Sequence, residues 1–276
     1  MLVEIPRGIP GTDGKWLTKT MIRHINGHDE QSVLEIPQDL PHHQRVLFLL
    51  ERIVRFQGVQ DIETGEVLRK ICIGDRVALL LHARSMILGD RIPCTITCTK
   101  CEKKMSADLN VSNLLQVKYP AQRDTYEVEI GGHDMKIKPL NAFSQDEVLD
   151  ESASSPNSLE QKLAKSCIAY SKPELPTVLP TAILNGLGSK LEEIDPLSDI
   201  VLDISCPACG YLVQALFPAE EFIFKEFAMH YNQLEREVHW IAFNYCWSEN
   251  DILDLPVTRR KKYIELINST LSGEST

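Results

Sequence analysis

Two short elements constrain this chain more than any other feature: Cys98-Thr99-Lys100-Cys101 and Cys206-Pro207-Ala208-Cys209. Thiolates three positions apart on a tight turn can both reach one tetrahedral Zn²⁺ at about 2.3 Å, and the backbone N–H groups of such a turn point toward the sulfurs. Pro207 pre-sets the second turn, and Gly210 tolerates the left-handed conformation that follows it. The first element has Glu102 in the place of that glycine, which puts its turn geometry in question without removing a ligand. The two pairs stand 105 positions apart, far beyond the spacing of a local zinc ribbon. Because loop-closure entropy grows slowly with length, such a separation is tolerable. A four-thiolate site at Cys98, Cys101, Cys206 and Cys209 would therefore clip the segment before a long insertion to the segment after it.

The competing readings of the thiols are weaker. A redox pair of the thioredoxin type needs a helix N-terminus to depress a thiol pKa, and neither element opens a helix. Cys94, four residues before Cys98, is a possible substitute ligand but is expected to face a strand core. Cys72, Cys167 and Cys246 sit in apolar patterns and read as small buried hydrophobes.

The chain surrounding the cysteines has 276 residues, 43% of them hydrophobic and 25% charged, enough to bury a core without disulfide staples. Its net charge of −10 argues against nucleic acid as the main partner, since phosphate binding needs a surplus of Lys and Arg. No apolar run approaches the roughly 18 residues of a membrane span, and the N-terminus lacks the cationic and apolar regions of a signal peptide. Membrane insertion is not expected, and a reducing cytosol would leave the thiols free for metal.

Periodicity predicts an α+β chain. Strands are expected at Lys15–Ile25, Ile92–Thr97, Met105–Val111, Tyr126–Ile130 and Met135–Leu140, with Gly131-Gly132 as a hairpin signal. A second β element spans Ser198–Phe217. Helices are expected at Gln44–Phe56, Arg76–Leu88, Leu159–Tyr170 and Thr181–Ile194, and Glu151–Ser158 reads as a flexible linker. From Pro218 a single long helix is predicted, its apolar face running through Ile223, Phe227, Tyr231, Leu234, Val238, Ile241 and Tyr245. Ser248 then caps a short helix, and the last helix begins at Pro256, its Arg259–Lys262 run reading as a solvated face. The expected organisation is an N-terminal β/helical segment (1–73), a zinc-clipped α+β core with inserted helices (74–217), and a C-terminal helical region (218–276).

No catalytic constellation emerges. Gly186-Leu187-Gly188 lacks the rest of a dinucleotide fingerprint and follows no strand, and the histidines form no metalloprotease motif. An enzyme is not expected.

Four stretches carry a family resemblance: Gly74–Leu81 (GDRVALLL) with Leu88–Ile92 (LGDRI), Asp203–Tyr211 (DISCPACGY), Leu234–Tyr245 (LEREVHWIAFNY) and Trp247–Pro256 (WSENDILDLP). Together they resemble the baseplate protein family of contractile-tailed phages and phage-derived contractile injection systems, a family similar to the baseplate hub assembly protein of T-even phages. The likeness runs from about Gly74 to Leu266 and is strongest from Ser205 onward. It implies a non-enzymatic structural or assembly role, contacts with other baseplate, hub, spike or tube proteins, and structural Zn²⁺ at the four cysteines. It also implies assembly in the bacterial cytoplasm, with retention in the finished particle left open. The alternative class is a zinc-ribbon adaptor in transcription or RNA metabolism. That reading needs a basic stripe, and Lys100, Lys103 and Lys104 supply only a short one. A zinc hydrolase would need an open metal position, which four thiolates exclude.

Overall fold

A computed structural model describes residues 1–11, 14–37, 39–56, 63–150 and 156–272. The N-terminal part is a three-stranded antiparallel sheet, in the order β1-β2-β3, built from β1 (Leu2–Pro10), β2 (Trp16–Ile22) and β3 (Val54–Phe56). It packs with α1 (Gly27–Leu34), α2 (His42–Ile53), α3 (Thr64–Lys70) and α4 (Ile73–Leu88) around the principal hydrophobic core. The helix expected over Gln44–Phe56 stops three residues early. Val54, β-branched and fully buried, instead pairs with the equally buried Ile22, because closing the sheet buries both.

Helix α4 begins at Ile73 rather than Arg76, so Asp75 lies in its first turn. The Asp75 carboxylate accepts the backbone N–H groups of Arg7 and Gly8, both at 2.8 Å. These donors are freed where β1 bulges, at a Gly8 with φ +77°. A side chain at Gly8 would meet the Leu17 carbonyl oxygen at 2.4 Å, so both the conformation and the space demand glycine.

The middle of the chain opens with a hairpin of β4 (Arg91–Thr97) and β5 (Lys104–Asn110), followed by α5 (Val111–Leu114). Next come β6 (Tyr126–Ile130), β7 (His133–Ile137), α6 (Ala142–Asp150), α7 (Pro156–Ser166), β8 (Ile168–Lys172) and α8 (Thr181–Ile194). Strands β6, β7 and β8 form a second antiparallel sheet with its own small core, where Ile130, Met135 and Ile137 meet Ile183 and Leu187 of α8. The Gly131-Gly132 turn has positive φ at both residues and sets Ile130 opposite His133, as its sequence predicts. Gly186 has a packing role: a Cβ there would fall 2.5 Å from the Ile130 side chain, so the glycine lets α8 approach the sheet. The helix expected over Leu159–Tyr170 ends at Ser166, and Ile168–Lys172 joins β7 as an edge strand. Of the expected linker, residues 151–155 lie outside the described residues, and Pro156 already starts α7.

A last hairpin, β9 (Ile200–Ser205) and β10 (Leu212–Phe217), leads into α9 (Ala219–Tyr231), α10 (Leu234–Tyr245), α11 (Glu249–Leu253) and α12 (Val257–Ser272). The single helix expected from Pro218 to Tyr245 is two, broken at Asn232 and Gln233. Its continuous apolar stripe serves two cores: Ile223, Phe227 and Tyr231 enter the principal core, while Ile241 packs with Ile252 and Ile267. Ser248 caps α11 as expected, accepting the Asp251 N–H. The Arg259–Lys262 run is not wholly solvated. Arg260 is completely buried, hydrogen-bonded to Glu30 of α1, to Glu237 of α10 at 3.0 Å and to the Leu255 carbonyl. No described helix is long and apolar enough to cross a membrane.

The arrangement that positions the cysteines is a matched pair. Helix α4 leads into one hairpin, and the other hairpin leads out into α9. The two helices pack together through ion pairs of the buried Arg76 with Glu220 and the buried Arg84 with Glu226 at 3.0 Å. Ile92, Ile200 and Phe217 root the hairpins in the principal core. The segment from α5 to α8 is inserted between them, with Val111 and Ala142 returning to the principal core.

Candidate metal centre

Each cysteine pair sits in the six-residue tip of one of these hairpins, between Thr97 and Lys104 in one and between Ser205 and Leu212 in the other. The tips are built alike. In the first, the Cys98 N–H donates to the Lys103 carbonyl and the Glu102 N–H donates to the Cys98 carbonyl, at 3.0 and 2.9 Å. In the second, Cys206 N–H to Tyr211 carbonyl and Gly210 N–H to Cys206 carbonyl repeat the pattern, both at 2.8 Å. The residue after the second cysteine is left-handed in both, Gly210 at φ +69° and Glu102 at φ +57°. The first tip thus takes the same turn without the glycine, at a steric cost on the order of 1 kcal/mol.

Period-two alternation turns Ile96, Met105, Ile204, Val213 and Ala215 into a small core beneath the tips, in contact with the cysteines. On that floor the four sulfurs converge. Cys98 and Cys209 stand 3.7 Å apart, as do Cys101 and Cys206, and all four lie within 4.8 Å of one another. Four sulfurs each about 2.3 Å from a central ion in tetrahedral geometry are separated by about 3.8 Å. Donor type, number and spacing therefore fit one soft divalent cation. The backbone N–H groups of Cys101 and Lys100 hydrogen-bond the Cys98 sulfur and hold that thiol at about 6. The Tyr211 N–H aids the Cys209 thiolate, yet desolvation and contact with the other three sulfurs push that thiol up to about 11. Several thiolates this close repel one another, and a cation among them removes the conflict.

The other cysteines lie elsewhere. Cys94 donates to the Ala107 carbonyl across its hairpin at 3.3 Å and does not join the cluster. Cys72 and Cys167 are buried as expected, their thiols directed at Asp195 and at the Leu163 carbonyl. Cys246 was expected in a core but is exposed, in the left-handed position that ends α10, because the apolar stripe of α10 turns away from it. The basic cluster beside the first tip is partly engaged: the Lys100 ammonium lies 5.7 Å from the centre of the Tyr211 ring. This contact ties one tip to the other, and nothing beside Tyr211 in the sequence announces it.

Residues 49–222 match the family described as T4 bacteriophage base plate protein, more than half of the chain. The chain belongs to that family. The matched region runs from within α2 to the start of α9 and holds both cysteine hairpins, all of α4 with the Arg76–Glu220 pair, and the segment between the hairpins. Two of the stretches that carry the sequence resemblance, Leu234–Tyr245 and Trp247–Pro256, lie beyond the match, which begins instead well before Gly74. Comparisons with curated proteins and with solved structures gave no significant match. A phage baseplate protein of mixed α and antiparallel β structure, with four cysteines placed to hold a metal, is what sequence family and fold together establish.

Proposed function

We propose that this chain is a structural or assembly component of the baseplate of a contractile phage tail or a phage-tail-like injection system. It acts through contacts with other baseplate, hub, spike or tube proteins, without catalysis, and is held in shape by a structural Zn²⁺ in a zinc ribbon split across the chain. The observation that carries this reading is that the family match spans both cysteine hairpins and everything between them. The metal would act as a clip between tips already rooted in one core. Residues that would hold it are Cys98, Cys101, Cys206 and Cys209. A four-thiolate shell leaves no position for substrate, which supports a structural rather than hydrolytic role.

The test is genetic. Deleting the gene from the tail-encoding locus and imaging the particles by electron microscopy is expected to give tails with missing or incomplete baseplates, restored when the gene is supplied in trans. Morphologically complete, contraction-competent particles from the deletion strain would overturn the proposal.

A further inference from the structure

Both 3.7 Å sulfur contacts run between the hairpins, Cys98 to Cys209 and Cys101 to Cys206. Exposure divides each crossed pair in the same way. Cys98 and Cys206 are buried, whereas Cys209 is exposed and Cys101 half-exposed. Each pair therefore joins a buried cysteine to a more exposed one.

We propose that, once metal-free, this site is oxidised by a hydroperoxide to two crossed disulfides, Cys98–Cys209 and Cys101–Cys206, which replace the metal as the clip between the hairpins. The more exposed cysteine of a pair, Cys209 or Cys101, gives up its thiol proton and attacks the peroxide oxygen. The O–O bond breaks, the sulfur becomes a sulfenic acid, and the departing hydroxide takes up a proton as water. The buried thiol opposite then gives up its proton and attacks the sulfenic sulfur. The S–S bond forms as the S–O bond breaks, and a second water leaves. Each disulfide consumes one peroxide, which accepts the two electrons that the two sulfurs lose.

The two crossed contacts set each sulfur beside a partner in the other tip. The crossing decides the consequence. Disulfides within each tip would leave the hairpins unconnected, whereas crossed ones keep them joined across 105 and 111 positions of sequence. The site would thus hold its shape both in a reducing cell, through metal, and in an oxidising exterior, through disulfides.

This inference rests on the metal reading, and the experiment separates the two. The whole chain is first loaded with Co²⁺ and its absorption recorded, which tests the metal site alone. The metal is then removed by a chelator under reductant, the reductant is exchanged away, hydrogen peroxide is added, and disulfides are mapped by mass spectrometry of an unreduced digest. The expected map is Cys98–Cys209 and Cys101–Cys206. Amide exchange is expected to be slow in β4–β5 and β9–β10 of both the metal-loaded and the oxidised protein, and fast in the reduced metal-free protein. In a Cys209→Ser variant the Cys101–Cys206 bridge is expected to remain. A map of Cys98–Cys101 and Cys206–Cys209, or sulfinic acids with no bridge, overturns the inference even where cobalt binds.

Discussion

Replacing Arg260 by methionine tests the fold at its least anticipated point. In the sequence this arginine belongs to a basic run on a terminal helix, where a substitution would cost within about 0.5 kcal/mol. In the structure it is completely buried and bonded to Glu30, 230 positions away, and to Glu237. Methionine fills much of the volume but leaves Glu30 buried beside a second carboxylate. Removing one partner of a buried pair costs roughly 3–5 kcal/mol, a large share of a net stability of about 5–15 kcal/mol.

The pH dependence identifies the cause. Burial, opposed by Arg260, already raises Glu30 to about 7, so the stability it contributes is complete below its unfolded value and is lost as pH rises through 7. Without Arg260 the folded pKa climbs further, and the penalty of Arg260→Met should grow by about 1 kcal/mol between pH 6 and pH 8. Half-buried His42, His82 and His230, all shifted down by desolvation, bend the wild-type profile in the opposite sense, being stabilising above about 6.5. The difference between variant and wild type, rather than either profile, is therefore the quantity to read. Urea unfolding followed by circular dichroism gives it directly. Adding Glu30→Gln to Arg260→Met should recover most of the loss and flatten the pH difference. A loss below about 1 kcal/mol, or a double variant as unstable as the single one, would refute the buried pairing, since exposed pairs are worth no more than that.

Other consequences are simpler to check. Glu102→Gly should stabilise the protein by about 1 kcal/mol by relieving the left-handed glutamate, and Gly210→Ala should destabilise it comparably; calorimetric melting should show shifts of a few degrees in opposite directions. Gly186→Val should drive α8 off β6 through Ile130, costing about 1–3 kcal/mol and opening residues 126–194 to limited proteolysis ahead of the rest. Cys94→Ser should leave metal stoichiometry unchanged, whereas Cys206→Ser should abolish tight binding, read by atomic absorption after dialysis.

Much of this structure is legible in the chain because local chemistry specifies it. The cysteine spacing, the glycine pair after Ile130, the Ser248 cap and the strand alternation beneath the tips each rest on neighbours in sequence. What escapes is decided at long range. Arg260 looks solvated until Glu30 is brought to it. Residues 54–56 and 168–172 become strands because β2 and β7 offer them an edge. The break at Asn232 follows from two cores sharing one apolar stripe. Glu102 is the instructive intermediate: its identity argues against the turn, yet the first tip makes the same turn bonds as the second. The pairing of α4 with α9 is hidden as well, because the partners of Arg76 and Arg84 stand more than 140 positions away in sequence.

The central claim is that one ion, held by four thiolates, joins hairpins separated by a long inserted segment of the chain. Absorption spectroscopy of the Co²⁺-substituted protein tests it most directly. One cobalt per chain, with intense sulfur-to-cobalt charge transfer and the strong ligand-field bands of a tetrahedral site, is the predicted result, lost when Cys98 or Cys206 is changed to serine. A weak octahedral spectrum, or a tetrahedral one that survives loss of the cysteines from either hairpin, would contradict it.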